Sequence, residues 1–173
     1  MAYQNYAGVK EIDIKNTIIE YSKNEEQVWR SKKGSSLFPR KMELFQSWMR
    51  KYPNSFRLED WNFMQNQPQY HFHECIAAKY FGDKGYGVLI EKYDLDSGLE
   101  KYSIFKRYAL KAFYLCEKEE HAQPPDLFIF KPGEIFFVEV KGPRDKVRWN
   151  QERFFRKLEN IGFNVQVAET RPK

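Results

Sequence analysis

The stretch that decides the fold runs from Pro124 to Pro143 and reads PPDLFIFKPGEIFFVEVKGP. Two apolar segments, DLFIF and IFFVEVK, flank a Lys-Pro-Gly-Glu sequence whose proline and glycine favour a tight turn. This alternation of strand and turn signals predicts a β-hairpin around Pro132 and Gly133.

The predicted register of this hairpin places ionisable groups together. Phe128 would face Phe137, Phe130 would face Ile135, and Asp126 would face Glu139. Opposed residues of an antiparallel pair project from the same face, with Cβ atoms about 5 Å apart. Lys141 lies two residues beyond Glu139 and therefore points the same way. The pattern predicts two carboxylates and an ammonium at one end of an otherwise apolar sheet.

This set of groups suggests a metal site. Two carboxylates this close repel each other and are poorly solvated in apolar surroundings, so a divalent cation would stabilise them. Mg²⁺ is typically held by one or two carboxylates, waters and phosphate oxygens. Lys141 would orient a water or contact the phosphate that the metal polarises. The alternative is an exposed strand end with a surface pair of Glu139 and Lys141, which the register of Asp126 with Glu139 makes less attractive.

The segment after the hairpin, VRWNQERFFRKLENIG (147–162), predicts a helix that ends at Gly162. Gln151 falls on its apolar side, together with Val147, Phe154, Phe155 and Leu158. An amide at that place would point toward the end of the sheet and hydrogen-bond a metal-bound water or a phosphate oxygen. A helix-edge glutamine that reaches solvent is an equally good interpretation.

A second helix is predicted in YHFHECIAAKYFG (70–82), which ends at Gly82. Glu74 lies beside its apolar side, although a glutamate on a helix is usually only solvated. His71 and His73 are two residues apart and do not share a helical face, so a histidine-based metal site is not expected.

The polar stretch QNQPQ (65–69) divides the chain into a predicted N-terminal helical extension, residues 1–66, and a core, residues 67–173. Three helices are predicted in the extension. The second of them, residues 38–53, carries an apolar stripe of Met42, Phe45, Trp48 and Met49. The three segments are KNTIIEYSKNEEQVW (15–29), FPRKMELFQSWMRKYP (38–53) and RLEDWNFMQ (57–65).

The core alternates strands and helices. YGVLIEKYDL (86–95) predicts a strand followed by a turn at 96–98, and residues 99–120 are expected to begin as its return strand and continue as a helix. FNVQVAE (163–169) predicts a final strand. The sequence therefore predicts a mixed α/β fold with a helix crossing over one sheet.

Composition restricts the class of protein. The 173 residues include 17% aromatic and 31% charged residues, which favours a soluble globular domain with a real core. The net charge of +5 is compatible with nucleic acid without proving it. Cys75 and Cys116 make no disulfide framework, and neither a secretion signal nor a membrane span is apparent, so a cytoplasmic location is expected.

Two motifs resemble known nucleases. Pro125-Asp126 followed by Glu139-Val140-Lys141 matches the PD-(D/E)xK pattern. The run FVEVKGPRDKVRWNQ (137–151) resembles the signature of the VRR-NUC family, whose Gly-Pro, Asp and Gln positions correspond here to Gly142, Pro143, Asp145 and Gln151. The resemblance covers roughly residues 70–169, and Glu74 is the natural match for the glutamate on the first core helix of the family. DKVRW stands where the family has a DRLS-like segment.

The resemblance implies a restriction-endonuclease-like core, a mixed β-sheet flanked by helices, that hydrolyses DNA phosphodiesters with Mg²⁺ or Mn²⁺. Lys141 would position the attacking water and Gln151 would complete the site. The implied metal-binding set is Asp126, Glu139, Val140 and Glu74, and the implied catalytic set is Glu74, Asp126, Glu139, Lys141 and Gln151.

The resemblance also implies partners. Bacterial and phage-type relatives of this kind are structure-selective endonucleases, several of them homodimeric Holliday-junction resolvases, so branched or flapped DNA and roles in repair or recombination are expected. Phosphate contacts are expected from the basic residues Arg144, Lys146, Arg148, Arg153 and Arg156. The alternatives are a catalytically silent DNA-binding or assembly subunit and a restriction- or transposition-type endonuclease whose N-terminal extension binds a site or a protein partner.

Overall fold

The structure is a computed structural model that describes residues 16–67, 69–95 and 100–173. It contains strands and helices in the order β1 (Asn16–Tyr21), α1 (Lys23–Trp29), α2 (Phe38–Lys51), α3 (Leu58–Met64), α4 (Phe72–Asp83), β2 (Gly87–Ile90), α5 (Glu100–Tyr108), α6 (Leu110–Lys118), β3 (Leu127–Lys131), β4 (Glu134–Lys141), α7 (Trp149–Asn160) and β5 (Asn164–Pro172).

The described strands form one mixed sheet in the order β1-β5-β4-β3-β2. Strands β2, β3 and β4 are antiparallel neighbours, whereas β5 runs parallel to both β4 and β1. Parallel neighbours need a crossover connection, and α7 supplies it between β4 and β5. The predicted mixed α/β core, a sheet flanked by helices, is confirmed.

The central hairpin has the predicted register. Phe128 pairs with Phe137 and Phe130 pairs with Ile135. Gly133 occupies the turn with a φ of 81°, a left-handed conformation that favours glycine. Because side chains alternate across a strand, the hairpin buries its two faces in two separate apolar clusters.

The first cluster lies against α4 and the helices before it, and the second lies against α5, α6 and α7. Leu127 and Ile129 of β3 belong to the first cluster, and Phe128 belongs to the second. Helices on both faces therefore bury the middle of the sheet and leave the ends of β2, β3 and β4 to form a site.

Two predicted elements are different in the structure. Residues 16–21 of the first predicted helix form the edge strand β1, which buries Ile19 and Tyr21 on one side and pairs with β5. Residues 100–118 form helices α5 and α6, separated at Ala109, so the expected return strand was wrong. The actual partner of β2 is β3, and the predicted turn at 96–98 lies outside the described residues.

Residues 16–66 contribute to the same apolar cluster as the core. Trp29, Phe45 and Trp48 pack in it with Phe72 of α4. The predicted stripe of α2 is rotated slightly, since Lys41 is fully buried while Met42 is 40% exposed. The boundary between an extension and a core at residue 66 stays a prediction. Among the described residues, no helix has the length and apolarity needed to span a bilayer.

Candidate active site

Three side chains meet where β4 ends and α7 begins. Lys141 donates from Nζ to Oε1 of Glu139 at 2.6 Å and to Oε1 of Gln151 at 3.2 Å. Gln151 donates from Nε2 to the same Glu139 oxygen at 2.5 Å. Glu139 is only 1% exposed, so a buried carboxylate is held here by one cation and one amide.

The neighbouring strand adds Asp126, which directly precedes β3. Its Oδ2 accepts the backbone N–H of Val140 at 2.8 Å, which continues the hairpin register past the last paired residues. Val140 has an apolar side chain, so it can contribute only backbone atoms. The aspartate is thereby fixed across from Glu139, as the sequence predicted.

A third group of side chains comes from α4 and the end of β2. One ligand atom each from His71, Glu74 and Glu91 lie within 4.8 Å of one another. His71 binds Oε1 of Glu91 through Nδ1 at 3.0 Å. Oε2 of Glu74 is buried and has no hydrogen-bond partner among the described residues.

The carboxylates of these groups act on one another electrostatically. Burial, followed by the charges of Glu139 and Glu74, raises the pKa of Asp126 well above its ordinary value. Burial and the charge of Glu91 raise the pKa of Glu74 to about 7. Burial also raises the pKa of Glu139, although Lys141 and Gln151 oppose the shift. The cluster therefore concentrates negative charge that the protein alone does not neutralise.

This donor set fits a divalent cation. Carboxylate oxygens suit Mg²⁺ and Mn²⁺, and imidazole is accepted by transition metals. The strongest evidence for a bound cation is Oε2 of Glu74, which has no hydrogen-bond partner among the described residues. Burying a carboxylate oxygen without a partner destabilises the folded state, and a metal ion would supply the missing contact. Asp126, Glu139, Glu74 and Glu91 are the residues best placed to hold such an ion, with His71 beside them.

A buried ion pair fixes the strand end that carries Glu91. Lys101 donates from Nζ to Oδ1 of Asp60 at 2.8 Å and to the carbonyls of Ile90 and Glu91 at 2.7 and 2.9 Å. All three ammonium protons are thus used. Glu91 has a φ of 40°, so these contacts hold an uncommon backbone conformation that turns its side chain toward His71.

The segment after β4 is also held by close contacts and hydrogen bonds. Gly142 donates its N–H to Oδ2 of Asp145 at 3.2 Å. A Cβ at Gly142 would lie 3.0 Å from Nε2 of His73, so a larger residue is disfavoured there. His73 contacts Thr170 at 2.7 Å, and the Thr170 hydroxyl donates to the carbonyl of Lys141. His73 therefore supports the strand end, and burial lowers its pKa.

The structure brings all five predicted catalytic residues, Glu74, Asp126, Glu139, Lys141 and Gln151, to one end of the sheet. Sequence reasoning missed Glu91 and His71. Glu91 directly follows β2, and pairing of Ile90 with Leu127 places it beside Asp126. His71 precedes the first turn of α4, so the helical-spacing argument against it does not apply.

The predicted phosphate-binding residues lie in the segment between β4 and α7 and on α7 itself. Arg144, Lys146, Arg148 and Arg153 are exposed, and within the described part of the chain none forms an ion pair. Arg156 is paired with Glu152 at 2.7 Å. Four exposed cations without a carboxylate partner among the described residues thus follow β4.

Comparisons with known proteins found a match to one family model and to one solved structure. Residues 106–172 match the sequence model of the VRR-NUC domain. Among solved structures, the crystal structure of paFAN1 bound to 2-nt 5′ flap DNA with a gap is similar with a TM-score of 0.32 and 20% identity, over 80% of this chain. The chain spans 23% of the length of that paFAN1 chain. No curated protein matches it.

Proposed function

We propose that this chain is a DNA nuclease dependent on a divalent metal, on the premise that residues 106–172 match the sequence model of the VRR-NUC domain. The observation that carries the proposal is Glu139, a buried carboxylate bound by Lys141 and Gln151 and set across from Asp126. Two neighbouring carboxylates could hold a metal ion, and the lysine beside them could orient a water or a phosphate oxygen for phosphodiester hydrolysis.

The metal would be held by Asp126, Glu139 and Glu74, with Glu91 beside them. When bound, it would supply a positive charge that stabilises the negative transition state and favours ionisation of water. The charges that raise the pKa of Asp126 would then be compensated.

The protein's own groups have separate roles. Lys141 uses two of its three ammonium protons on Glu139 and Gln151, as far as the described residues show, which leaves one for a water or phosphate oxygen. Gln151 would keep Glu139 and Lys141 in place rather than transfer protons. A fixed ammonium beside the reacting phosphate would stabilise developing charge without reorganisation.

We further propose a structure-selective action on branched or flapped DNA. The free cations Arg144, Lys146, Arg148 and Arg153 support it, because phosphate contacts position a protein on DNA without reading its sequence. A homodimer would present two matched sites to a symmetric junction. Such a substrate would place the enzyme inside the cell, in repair or recombination.

The test is a cleavage panel with Mg²⁺ and with Mn²⁺ on plain duplex, single strand, 5′ flap and four-way junction. Wild type is expected to cut at least one branched substrate, and Asp126→Ala and Lys141→Ala are expected to cut none. If wild type cuts nothing, or if Asp126→Ala cuts equally well, the nuclease proposal is wrong. Tight junction binding without cleavage would instead favour a silent DNA-binding subunit, and cleavage at one sequence would favour a restriction- or transposition-type enzyme.

A further inference from the structure

Trp149, the first residue of α7, is 73% exposed, more than any other large hydrophobic residue in the described part of the chain. The other tryptophans behave differently: Trp29 and Trp48 are buried, and Trp61 packs against the same apolar cluster. An isolated exposed apolar side chain needs no explanation. The indole of Trp149 is not isolated, because a cation without a carboxylate partner among the described residues lies beside it.

The surroundings of Trp149 combine an aromatic face with positive charge. The guanidinium carbon of Arg153, one helical turn later, lies 5.6 Å from the indole ring centroid. Trp149 and Arg153 together line two adjoining grooves. Arg156 and Lys157 in these grooves are neutralised by carboxylates, whereas Arg153 has no carboxylate partner among the described residues. An anion next to the ring would therefore meet an available guanidinium.

Trp149 also belongs to the first turn of α7, the helix that supplies Gln151 to the proposed reaction centre. It stands two residues before Gln151, which binds Glu139, and so lies in the same turn of α7 but on a different face of the helix. Asn150 donates from Nδ2 to Oε1 of Gln123 at 2.7 Å, which connects the helix start to the segment that leads into Asp126. The start of α7, which carries the indole, therefore lies beside the segment that leads into Asp126.

We infer that Trp149 is a stacking platform for an unpaired nucleobase of a bound DNA strand that passes the start of α7. Every base has a π face, so stacking on an aromatic side chain is independent of sequence, and arginine beside the ring adds attraction. Bases inside an intact duplex are already stacked and cannot reach the platform. The inference rests on the proposed function and names its substrate class: DNA with unpaired nucleotides.

The inference is tested by equilibrium binding in an Asp126→Asn background, in which no cleavage is expected. The probes are a short oligothymidylate and a blunt-ended duplex, both labelled with fluorescein. Trp149→Ala is expected to weaken oligothymidylate binding roughly 5- to 100-fold, to leave duplex binding unchanged, and to abolish the quenching of tryptophan fluorescence by the oligonucleotide. Trp149→Phe should restore most of the binding, since it retains an aromatic face.

Leu58→Ala is the matched control. Leu58 is 62% exposed and belongs to α3, which packs with the opposite face of the sheet, so its removal should change neither affinity. The platform is rejected if Trp149→Ala binds oligothymidylate as tightly as its parent, or if it weakens both probes equally. A change of molar mass in light scattering with unchanged DNA affinity would also reject it, in favour of an interface between copies. Binding is measured without cleavage, so an inactive wild type would overturn the nuclease proposal and still leave this test decisive.

Discussion

The side-chain amide of Gln151 donates a hydrogen bond to Oε1 of Glu139 at 2.5 Å and accepts one from Lys141 at 3.2 Å. Its Oε1 also accepts the backbone N–H of Arg148 at 3.0 Å, which caps the start of α7. An amide can donate and accept at the same time, whereas a carboxylate only accepts. Gln151 therefore connects the helix terminus to both charged groups of β4.

Replacing Gln151 with alanine should impair the site without unfolding the protein. Glu139 and Lys141 would lose a shared partner, and loss of such a supporting contact typically costs about 10- to 100-fold in metal affinity or activity. Calorimetric Mn²⁺ titration and the cleavage rate on the preferred DNA would measure both effects. Asn150→Ala is the control, because Asn150 directly precedes Gln151 and its side chain contacts Gln123 and the backbone N–H of Gln151, not Glu139 or Lys141. Equal rates for the two variants would contradict this role.

Lys141→Met should abolish most cleavage and keep DNA binding. The methionine retains much of the buried stem but removes the ammonium that Glu139 and Gln151 orient. Loss of a positioned group of this kind lowers the rate by about 10²- to 10⁴-fold. Single-turnover cleavage and gel-shift affinity on the same junction separate the two effects. A variant that cuts within a few-fold of wild type would show that the ammonium has no part in the reaction.

Asp126→Asn should stabilise the metal-free protein and remove its response to metal. The folded-state pKa of Asp126 is raised, so the folded state binds more protons than the unfolded state between the ordinary and the raised pKa. Stability of wild type in EDTA should therefore fall as pH rises through this window, and the variant should show a smaller fall. We expect the variant to be more stable at pH 8 by about 1–2 kcal/mol. Urea unfolding of both proteins at pH 5.5 and 8, with and without Mn²⁺, measures the difference in the free energy of unfolding and its response to the metal.

The sequence predicted the hairpin and the proximity of Asp126 to Glu139, because these contacts are local. Phe128 and Phe137 are brought together by one short turn, so the pairing of Asp126 with Glu139 follows from counting residues. Non-local pairings were not predicted. Strand β1 pairs with β5 from the opposite end of the chain, and its short apolar segment fits a helix or a strand equally well.

Glu91 was missed because the pairing of β2 with β3 was not predicted. The strand that precedes it was predicted, but it was paired with the following segment rather than with β3. Its side-chain direction depends further on a positive φ and on carbonyl contacts from Lys101, ten residues later. Neither the positive φ of Glu91 nor its contact with Lys101 can be predicted from local residue spacing or from secondary-structure propensity.

Glu91→Gln should weaken the metal site while leaving the fold intact. The glutamine keeps a contact to His71 but removes one negative charge from the cluster that includes Glu74. Mn²⁺ affinity should fall several-fold, and the melting temperature in EDTA should rise slightly because a like charge is removed. Glu100→Gln is the control, since Glu100 is exposed and lies outside the cluster. An unchanged Mn²⁺ affinity for Glu91→Gln would exclude Glu91 from the metal site.

Lys41 gives a prediction about stability alone. Its Nζ is buried without a hydrogen-bond partner among the described residues and lies 4.7 Å from the ring centroid of Trp29. Burial lowers the pKa of Lys41 from 10.5 to about 8. The charged form is thus disfavoured in the fold, and the face of Trp29 compensates only part of the cost.

The sign of the pH dependence follows from proton binding. Between pH 8 and 10.5 the unfolded chain retains the proton of Lys41 while the folded chain loses it, so stability from this residue rises with pH. Lys41→Met removes the buried charge and should raise the free energy of unfolding at pH 7 by about 1–3 kcal/mol. The stabilising effect should shrink as pH approaches 10. Lys51→Met, at an exposed position of the same helix, should change stability by less than about 0.5 kcal/mol. A stabilisation by Lys41→Met that is the same at pH 7 and pH 10 would mean that Lys41 is not a buried titrating cation.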